Sequence, residues 1–108
     1  LWRWLHDHYR PVARIGGISP WLKCAHLAES FNTPICPHYL MELHVGLCAA
    51  VPNAPWVEYI PQLDMIMRNS VRIENGMARP FESPGLGIEW DWKAIEKMRV
   101  AAPVVNGR

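Results

Sequence analysis

Two features are missing from this sequence: a long hydrophobic run and an excess of charge of one sign. Its 108 residues hold 11 basic and 10 acidic side chains, so the formal net charge is +1. A membrane-spanning helix needs about 20 largely apolar residues in a row, and no stretch approaches that length. The basic stripe that is typical of nucleic-acid-binding domains is also missing. We therefore expect neither a membrane nor a nucleic acid as a partner.

Cysteine is scarce. The three copies, Cys24, Cys36 and Cys48, form an odd count at wide spacing, which does not indicate a disulfide framework. Charges and histidines interrupt the first ten residues, so they do not resemble a secretory signal. We therefore expect reduced thiols in a cytoplasmic protein. The sequence opens on Leu1 and not on methionine, and we expect a processed chain, a trimmed one or a fragment of something longer.

The first part of the chain alternates strand-like and helix-like segments. Short apolar segments predict strands at Pro11–Ile15, Pro34–His38 and Trp56–Ile60, and apolar residues at spacings of three and four predict helices over Pro20–Phe31 and Met41–Val51. Ser19 is the expected N-cap of the earlier helix. Strand–helix–strand connections of this kind produce parallel strands with right-handed crossovers. The pattern therefore predicts an α/β fold.

The pattern of apolar and polar residues changes after Pro61. Val71 and Ile73 alternate with polar residues and lead to Asn75-Gly76, and Asn-Gly between such runs is a strong hairpin signal. A short terminal helix is predicted over Trp90–Met98. These elements are expected to lie outside the parallel sheet.

His38 ends one predicted strand, and Glu58 lies near the carboxyl end of another. In parallel α/β folds the carboxyl ends of strands carry the chemistry, so we expect these two side chains at one end of the sheet, within about 10 Å of each other. Imidazole suits proton transfer because its ordinary pKa lies near neutrality. The alternatives from the residues alone are a hydrogen-bonded core histidine and a surface glutamate, and both stay open at this point.

Pairs of metal-ligating residue types raise a further alternative, a small zinc-binding module. Zinc sites use two close pairs or an HExxH helix, and residues two apart on a helix do not face the same way. We therefore place this alternative last. The pairs are Cys24 with His26, Cys36 with His38, and Glu42 with His44.

Three segments carry a resemblance to a known family. They are RIGGISPWLKCAHLAESF from Arg14, CPHYLMELHVGLCAAVPNAPWVEYIPQLD from Cys36, and PGLGIEWDW from Pro84. Together they resemble the carboxyl-terminal part of the mandelate racemase/muconate lactonizing enzyme branch of the enolase superfamily. Within that branch, the acid-sugar dehydratases of the talarate/galactarate type are the most similar.

The resemblance implies a fold. Residues 1–61 would form the last three strand–helix units of a partial (β/α) TIM-type barrel. Residues 62–108 would form the returning segment of the capping domain, with the hairpin and the terminal helix. The earlier barrel strands would lie outside this chain.

The resemblance also implies a Mg²⁺-dependent dehydratase of acid sugars. His38 would be the general acid/base beside the substrate carboxylate, and Glu58 would bind that carboxylate and stabilise the enediolate that forms before water is lost. The Mg²⁺ ligands of the family lie on strands that this chain lacks, so the chain is expected to be inactive alone. The alternatives are a racemase or epimerase of 2-hydroxy acids and a non-catalytic truncated gene product. The expected partner is a small acid sugar or hydroxy acid, and the full-length family members are expected to be homo-oligomers.

One position departs from the family pattern. An aspartate that orients the catalytic histidine is expected three residues before Arg14, where this chain has Pro11. His38 would therefore lack the anion that sets its tautomer.

Overall fold

The computed structural model describes residues 12–100, and within them helices are the main regular elements. The strands form one small hairpin. In chain order the elements are α1 (Val12–Ile15), α2 (Ile18–Ser30), α3 (Met41–Ala49), a 3₁₀ helix (Leu63–Ile66), β1 (Arg72–Glu74), β2 (Met77–Arg79) and α4 (Trp92–Met98). None of these helices is long and apolar enough to cross a membrane.

Helix α2 is amphipathic in the way its sequence predicts. Trp21, Ala25 and Ala28 recur at spacings of four and three and are buried, as expected for the core-facing stripe of a helix. Trp21 and Ala25 pack in one cluster with Cys48 and Val51. This cluster joins α2 to the end of α3.

Helix α3 is buried on more than one side. Cys48 belongs to the α2 cluster, whereas Met41 and Val45 form a second cluster with Val71, against which Phe81 packs. A helix that is apolar around much of its circumference must be covered on several faces. Helix α3 therefore links the first part of the chain to the hairpin region.

The hairpin confirms the prediction made from Asn75-Gly76. Strands β1 and β2 pair antiparallel, with Ile73 opposite Ala78. Asn75 and Gly76 have φ of 52° and 76°, the positive values that a tight two-residue turn of this kind requires. Arg79 Nε donates to Glu74 Oε2 at 3.2 Å across the pair.

The predicted set of three parallel strands is wrong for the described residues. Val12–Ile15 is a turn of helix, and the stretches 34–38 and 56–60 carry no strand ladder. Within the first of these stretches, the N–H of Ile35 donates to the C=O of Asn53 at 2.8 Å, in the loop that follows α3. Pro34 and Pro37 remove N–H donors that a ladder needs, and the N–H of Val12 is bonded to the ring of His44 instead of to a neighbouring strand. Pro11 lies outside the described residues.

The predicted helices form, with shifted ends. Helix α2 begins at Ile18 after Gly17, not at Pro20 after Ser19, and α3 ends at Ala49. Helix α4 begins after Asp91, whose carboxylate accepts from the N–H groups of Lys93 and Ala94. These two bonds, the one from Ala94 foremost, lower the pKa of Asp91.

The loop before α4 is held close to the 3₁₀ helix. Arg68 N–H donates to Glu89 C=O at 2.8 Å, and Asp91 N–H donates to Ile66 C=O at 2.9 Å. The Asn69 amide donates to Gly87 C=O and accepts from Glu89 N–H. Gly87 itself has φ of 68°, and a Cβ added there would lie 2.2 Å from the Cβ of Phe81. Only glycine therefore fits where this loop passes Phe81.

Substituting two glycines of this loop should separate backbone strain from steric overlap. Gly85 has φ of 71° but open space around its missing Cβ, so Gly85→Ala should lower the free energy of unfolding by about 1–2 kcal/mol. Gly87→Ala adds the overlap with Phe81, so the expected loss is about 2–5 kcal/mol. Urea unfolding of both variants measures the difference. Equal losses would show that Phe81 moves aside freely.

Candidate functional site

His38 and Glu58 meet in the structure. The Nδ1 atom of His38 lies 2.5 Å from Oε2 of Glu58, and the same oxygen accepts the N–H of Tyr39 at 2.9 Å. A carboxylate oxygen is an acceptor, so Nδ1 carries the proton that His38 donates. About half of each side chain is exposed, 47% for His38 and 42% for Glu58. The expected proximity of the two residues is confirmed, whereas their catalytic roles remain predictions.

The backbone turns sharply after His38. Tyr39 and Leu40 have φ of 62° and 47°, in the left-handed region that costs a non-glycine residue roughly 1–2 kcal/mol. Two such residues in a row reverse the chain between His38 and α3 and aim the Tyr39 N–H at Glu58. Strained backbone persists only where its surroundings hold it in place, and it concentrates at functional sites.

His44 holds this turn from inside the core. It is completely buried, and its two ring nitrogens bond to backbone groups of two different segments. Nδ1 lies 2.6 Å from the Tyr39 carbonyl oxygen, and Nε2 accepts the Val12 N–H at 2.9 Å. A carbonyl can only accept and an amide N–H can only donate. His44 is therefore neutral and protonated on Nδ1.

The electrostatics of His44 agree with this tautomer. Burial lowers its pKa by penalising the imidazolium form, and the nearby His38 lowers it further. The backbone groups of Tyr39 and Leu40 oppose the shift. A protonated ring would also lose the bond from Val12, because Nε2 would become a donor. The turn at Tyr39 and Leu40 therefore depends on a histidine that stays uncharged.

From the sequence, His44 is considered only as one half of a pair of metal-ligating residue types. Its position among the buried residues Met41, Val45 and Cys48 of α3 is the signal that a polar group here needs internal partners. The other helical histidine, His26, is exposed and contacts Glu29 one turn later. Burial pattern alone thus distinguishes the two histidines.

A second ionisable group on α3 is buried without a partner. Glu42 is 3% exposed, and neither of its carboxyl oxygens has a hydrogen-bond partner. Burial raises its pKa, and the like charge of Asp64 raises it further, while its own backbone N–H opposes the shift. A cavity of about 210 Å³ beside Glu42 is lined by residues such as Gly46 and Phe81, and neither His38 nor Glu58 lines it. It does not belong to the His38–Glu58 site.

The described residues do not provide a metal site. Between residues 12 and 100, no three His, Cys, Asp or Glu side chains are grouped so that they could hold an ion. Cys24, Cys36 and Cys48 are all free thiols, and burial raises the pKa of Cys48 to about 11, which keeps it protonated. The pairs of ligand types two residues apart therefore do not combine into a zinc site in this part of the chain.

Comparisons with known proteins agree on one family. The family model described as enolase C-terminal domain-like matches residues 11–94. The L-talarate/galactarate dehydratase of Salmonella typhimurium (strain LT2) is 37% identical over 82 residues, which are 75% of this chain and 21% of that protein. The arabinonate dehydratase of Saccharolobus solfataricus is 35% identical over 83 residues, 67% of this chain and 21% of that protein.

A solved structure is similar along most of the chain. The crystal structure of L-talarate dehydratase from Polaromonas sp. JS666, complexed with Mg and L-glucarate, has a TM-score of 0.74 at 38% identity. The matched region covers 81% of this chain and 24% of the chain in that crystal structure. The chain spans about a fifth of the length of the curated relatives it matches.

The burial of neutral His44 should make stability depend on pH. Because its folded pKa lies below the ordinary 6.5, the unfolded chain binds more protons as the pH falls below 6.5, and the His44 contribution to stability is lost in that range. At pH 8, His44→Asn should lower the free energy of unfolding by about 1–3 kcal/mol, because a buried backbone donor loses its acceptor. Urea unfolding between pH 8 and pH 5 should show this difference shrinking. His26→Asn is the exposed control, and a His44→Asn difference that is constant with pH would contradict the assignment.

Proposed function

The chain belongs to the enolase C-terminal domain-like family, and from that premise we propose that it is the carboxyl-terminal segment of a Mg²⁺-dependent acid-sugar dehydratase. Members of this family have α/β folds of the TIM-barrel type. The single observation that supports the proposal is the His38–Glu58 hydrogen bond of 2.5 Å. It joins the two residues that the family resemblance selects for catalysis.

In the proposed reaction, His38 is the general acid/base. Glu58 engages Nδ1, so the exchange of a proton with the substrate is assigned to the other ring nitrogen, Nε2. A histidine held by a carboxylate in one tautomer presents the second nitrogen in a defined direction. This arrangement suits the removal of a proton next to a carboxylate, or the protonation of a departing hydroxyl.

Glu58 takes on the task of orienting His38. The family pattern assigns that task to an aspartate, and this chain has Pro11 at the expected position. Oε2 of Glu58 accepts from His38 and from the Tyr39 N–H, which fixes both the carboxylate and the ring. We propose that Glu58 serves as the anionic partner of His38 in this chain. Because an ionised carboxylate cannot donate a hydrogen bond to a substrate carboxylate, this proposal replaces the substrate-binding role that the resemblance gives to Glu58.

Mg²⁺ does not fit the residues described here. Residues 12–100 offer no cluster of three suitable ligands, so in the proposed enzyme the metal is held by residues outside this range. The chemistry assigned to this chain is therefore limited to proton transfer at His38 and to its orientation by Glu58.

The domain layout and the substrate class are parts of the same proposal. Residues 1–61 are assigned to the barrel and 62–108 to the returning cap segment, and the second core cluster on α3 is the junction between the two. Several curated relatives are named as dehydratases of sugar acids, which supports dehydration of an acid sugar over racemisation.

The chain alone should not turn over substrate. Incubation of the purified chain with Mg²⁺ and a panel of aldaric and aldonic acids should produce no keto acid. A general acid/base alone raises a reaction rate by only about 10²–10⁴-fold, which is too little without the metal. The Salmonella typhimurium L-talarate/galactarate dehydratase serves as the positive control. Turnover that His38→Asn abolishes would make this chain an enzyme by itself and would overturn the fragment proposal.

The tautomer of His38 provides a test that needs no activity. Long-range ¹H–¹⁵N correlation spectra above pH 8 should show His38 protonated on Nδ1, since this atom donates to Glu58. Glu58→Gln replaces the carboxylate by a neutral amide and should shift His38 toward the Nε2–H tautomer, while Glu89→Gln, at an exposed glutamate, should not. An unchanged His38 spectrum in Glu58→Gln would mean that Glu58 does not orient the ring.

A further inference from the structure

Three backbone groups form hydrogen bonds where the chain turns after His38. The Tyr39 N–H bonds to Glu58, the Tyr39 carbonyl bonds to His44, and the Leu40 carbonyl accepts from the N–H groups of Leu43 and His44 at the start of α3. The peptide groups on both sides of Tyr39 are thus occupied. The one on the amino side faces the site, and the one on the carboxyl side faces the core.

The Tyr39 carbonyl has a particular need for its partner. Tyr39 and Leu40 both have left-handed backbone angles, which non-glycine residues adopt only when the surrounding structure compensates the strain. The bond from His44 Nδ1 to this carbonyl, at 2.6 Å, is a direct restraint on the strained pair. Because Tyr39 also donates to Glu58, a rotation of its backbone would move the N–H away from Oε2.

The other end of His44 is anchored independently. Nε2 accepts from Val12 N–H at the first residue of α1, 32 positions away, and the ring lies 6.3 Å from that of Trp21 at a tilt of 45°. The imidazole is thus a rigid spacer between the start of α1 and the site turn. Its two bonds have separate destinations, so their effects can be separated.

We propose that His44 is a positioning residue that sets the Tyr39 turn through its Nδ1–H bond and thereby aligns Glu58 with His38. The inference rests on the proposed function, since it concerns how that site is built. In this proposal His44 acts on the site through the backbone of Tyr39. The bond to Val12 serves to hold the ring, and the bond to Tyr39 serves the site.

Two substitutions separate the two bonds. In His44→Asn, the amide nitrogen reaches about as far as Nδ1, so it can still donate to Tyr39, while the acceptor for Val12 is lost. In His44→Gln, the amide oxygen reaches about as far as Nε2 and can still accept from Val12, while the donor to Tyr39 is lost. Each variant leaves one buried backbone group unpaired, so both should be destabilised to a similar extent.

The measurement is the His38 tautomer in the complete 108-residue chain, with circular dichroism to verify folding. His44→Gln should lower the Nδ1–H to Nε2–H ratio of His38 by about fivefold, the equivalent of one lost hydrogen bond. His44→Asn should leave that ratio near the wild-type value, and so should His26→Gln at the exposed helical histidine. A merely structural role for His44 would move both His44 variants alike.

The outcomes decide between positioning and packing. A His38 response confined to His44→Gln supports the proposal. Equal responses in the two variants, no response in either, or unfolding of either variant would assign His44 to the stability of the fold alone and overturn it. Failure of the proposed function would be seen in different measurements. These are turnover by the isolated chain, or a His38 tautomer that does not change in Glu58→Gln.

Discussion

The pair of hydrogen bonds made by buried His44 is the constraint on which this structure depends. The ring joins the first described residue, Val12, to the turn at Tyr39, and it does so from the helix that both core clusters share. Hydrophobic contacts alone bring these segments together without direction. The imidazole adds direction, since only one tautomer satisfies an amide donor and a carbonyl acceptor at once. Stability and site geometry therefore depend on the same side chain.

The sequence predicts what depends on local chemistry and misses what depends on distant partners. Asn75-Gly76 specifies its hairpin because the turn needs positive φ at both positions, and the α2 stripe specifies its buried face. The stretches 34–38 and 56–60 are different, because an apolar stretch becomes a strand only when another strand supplies hydrogen bonds along its edge. Residues 12–100 do not supply that edge, and Pro34 and Pro37 lack donors in any case. Val12 shows the same limit, since no pattern in its neighbourhood indicates a bond to His44.

The site was predictable in its members and not in its geometry. His38 and Glu58 could be selected because each lies at the end of an apolar segment, and the family resemblance gave them roles. The direct bond between them could not be foreseen, since it depends on the left-handed pair Tyr39 and Leu40, which no glycine marks.

Helix α3 carries two buried ionisable groups whose preferred protonation states respond to pH in opposite ways. Neutral His44 is favoured as the pH rises to 6.5, whereas unpaired Glu42 is favoured as the pH falls toward 4.5, because a raised carboxyl pKa makes the folded state bind more protons. The two groups therefore give the stability of the fold opposite dependences on pH.

His38 and Glu58 are separated by only 20 positions, and the chain between them contains α3 and one loop. The entropy cost of closing a loop rises slowly with its length, by about 0.6 kcal/mol for each doubling, so a closure of this size is among the cheaper ones in a barrel-type fold, where strands from opposite ends of the chain must meet. The pair is in this sense a contact of short range along the chain. The proposed catalytic pair lies within one short segment, so an exchange of that segment as a unit between related proteins would keep its internal spacing intact.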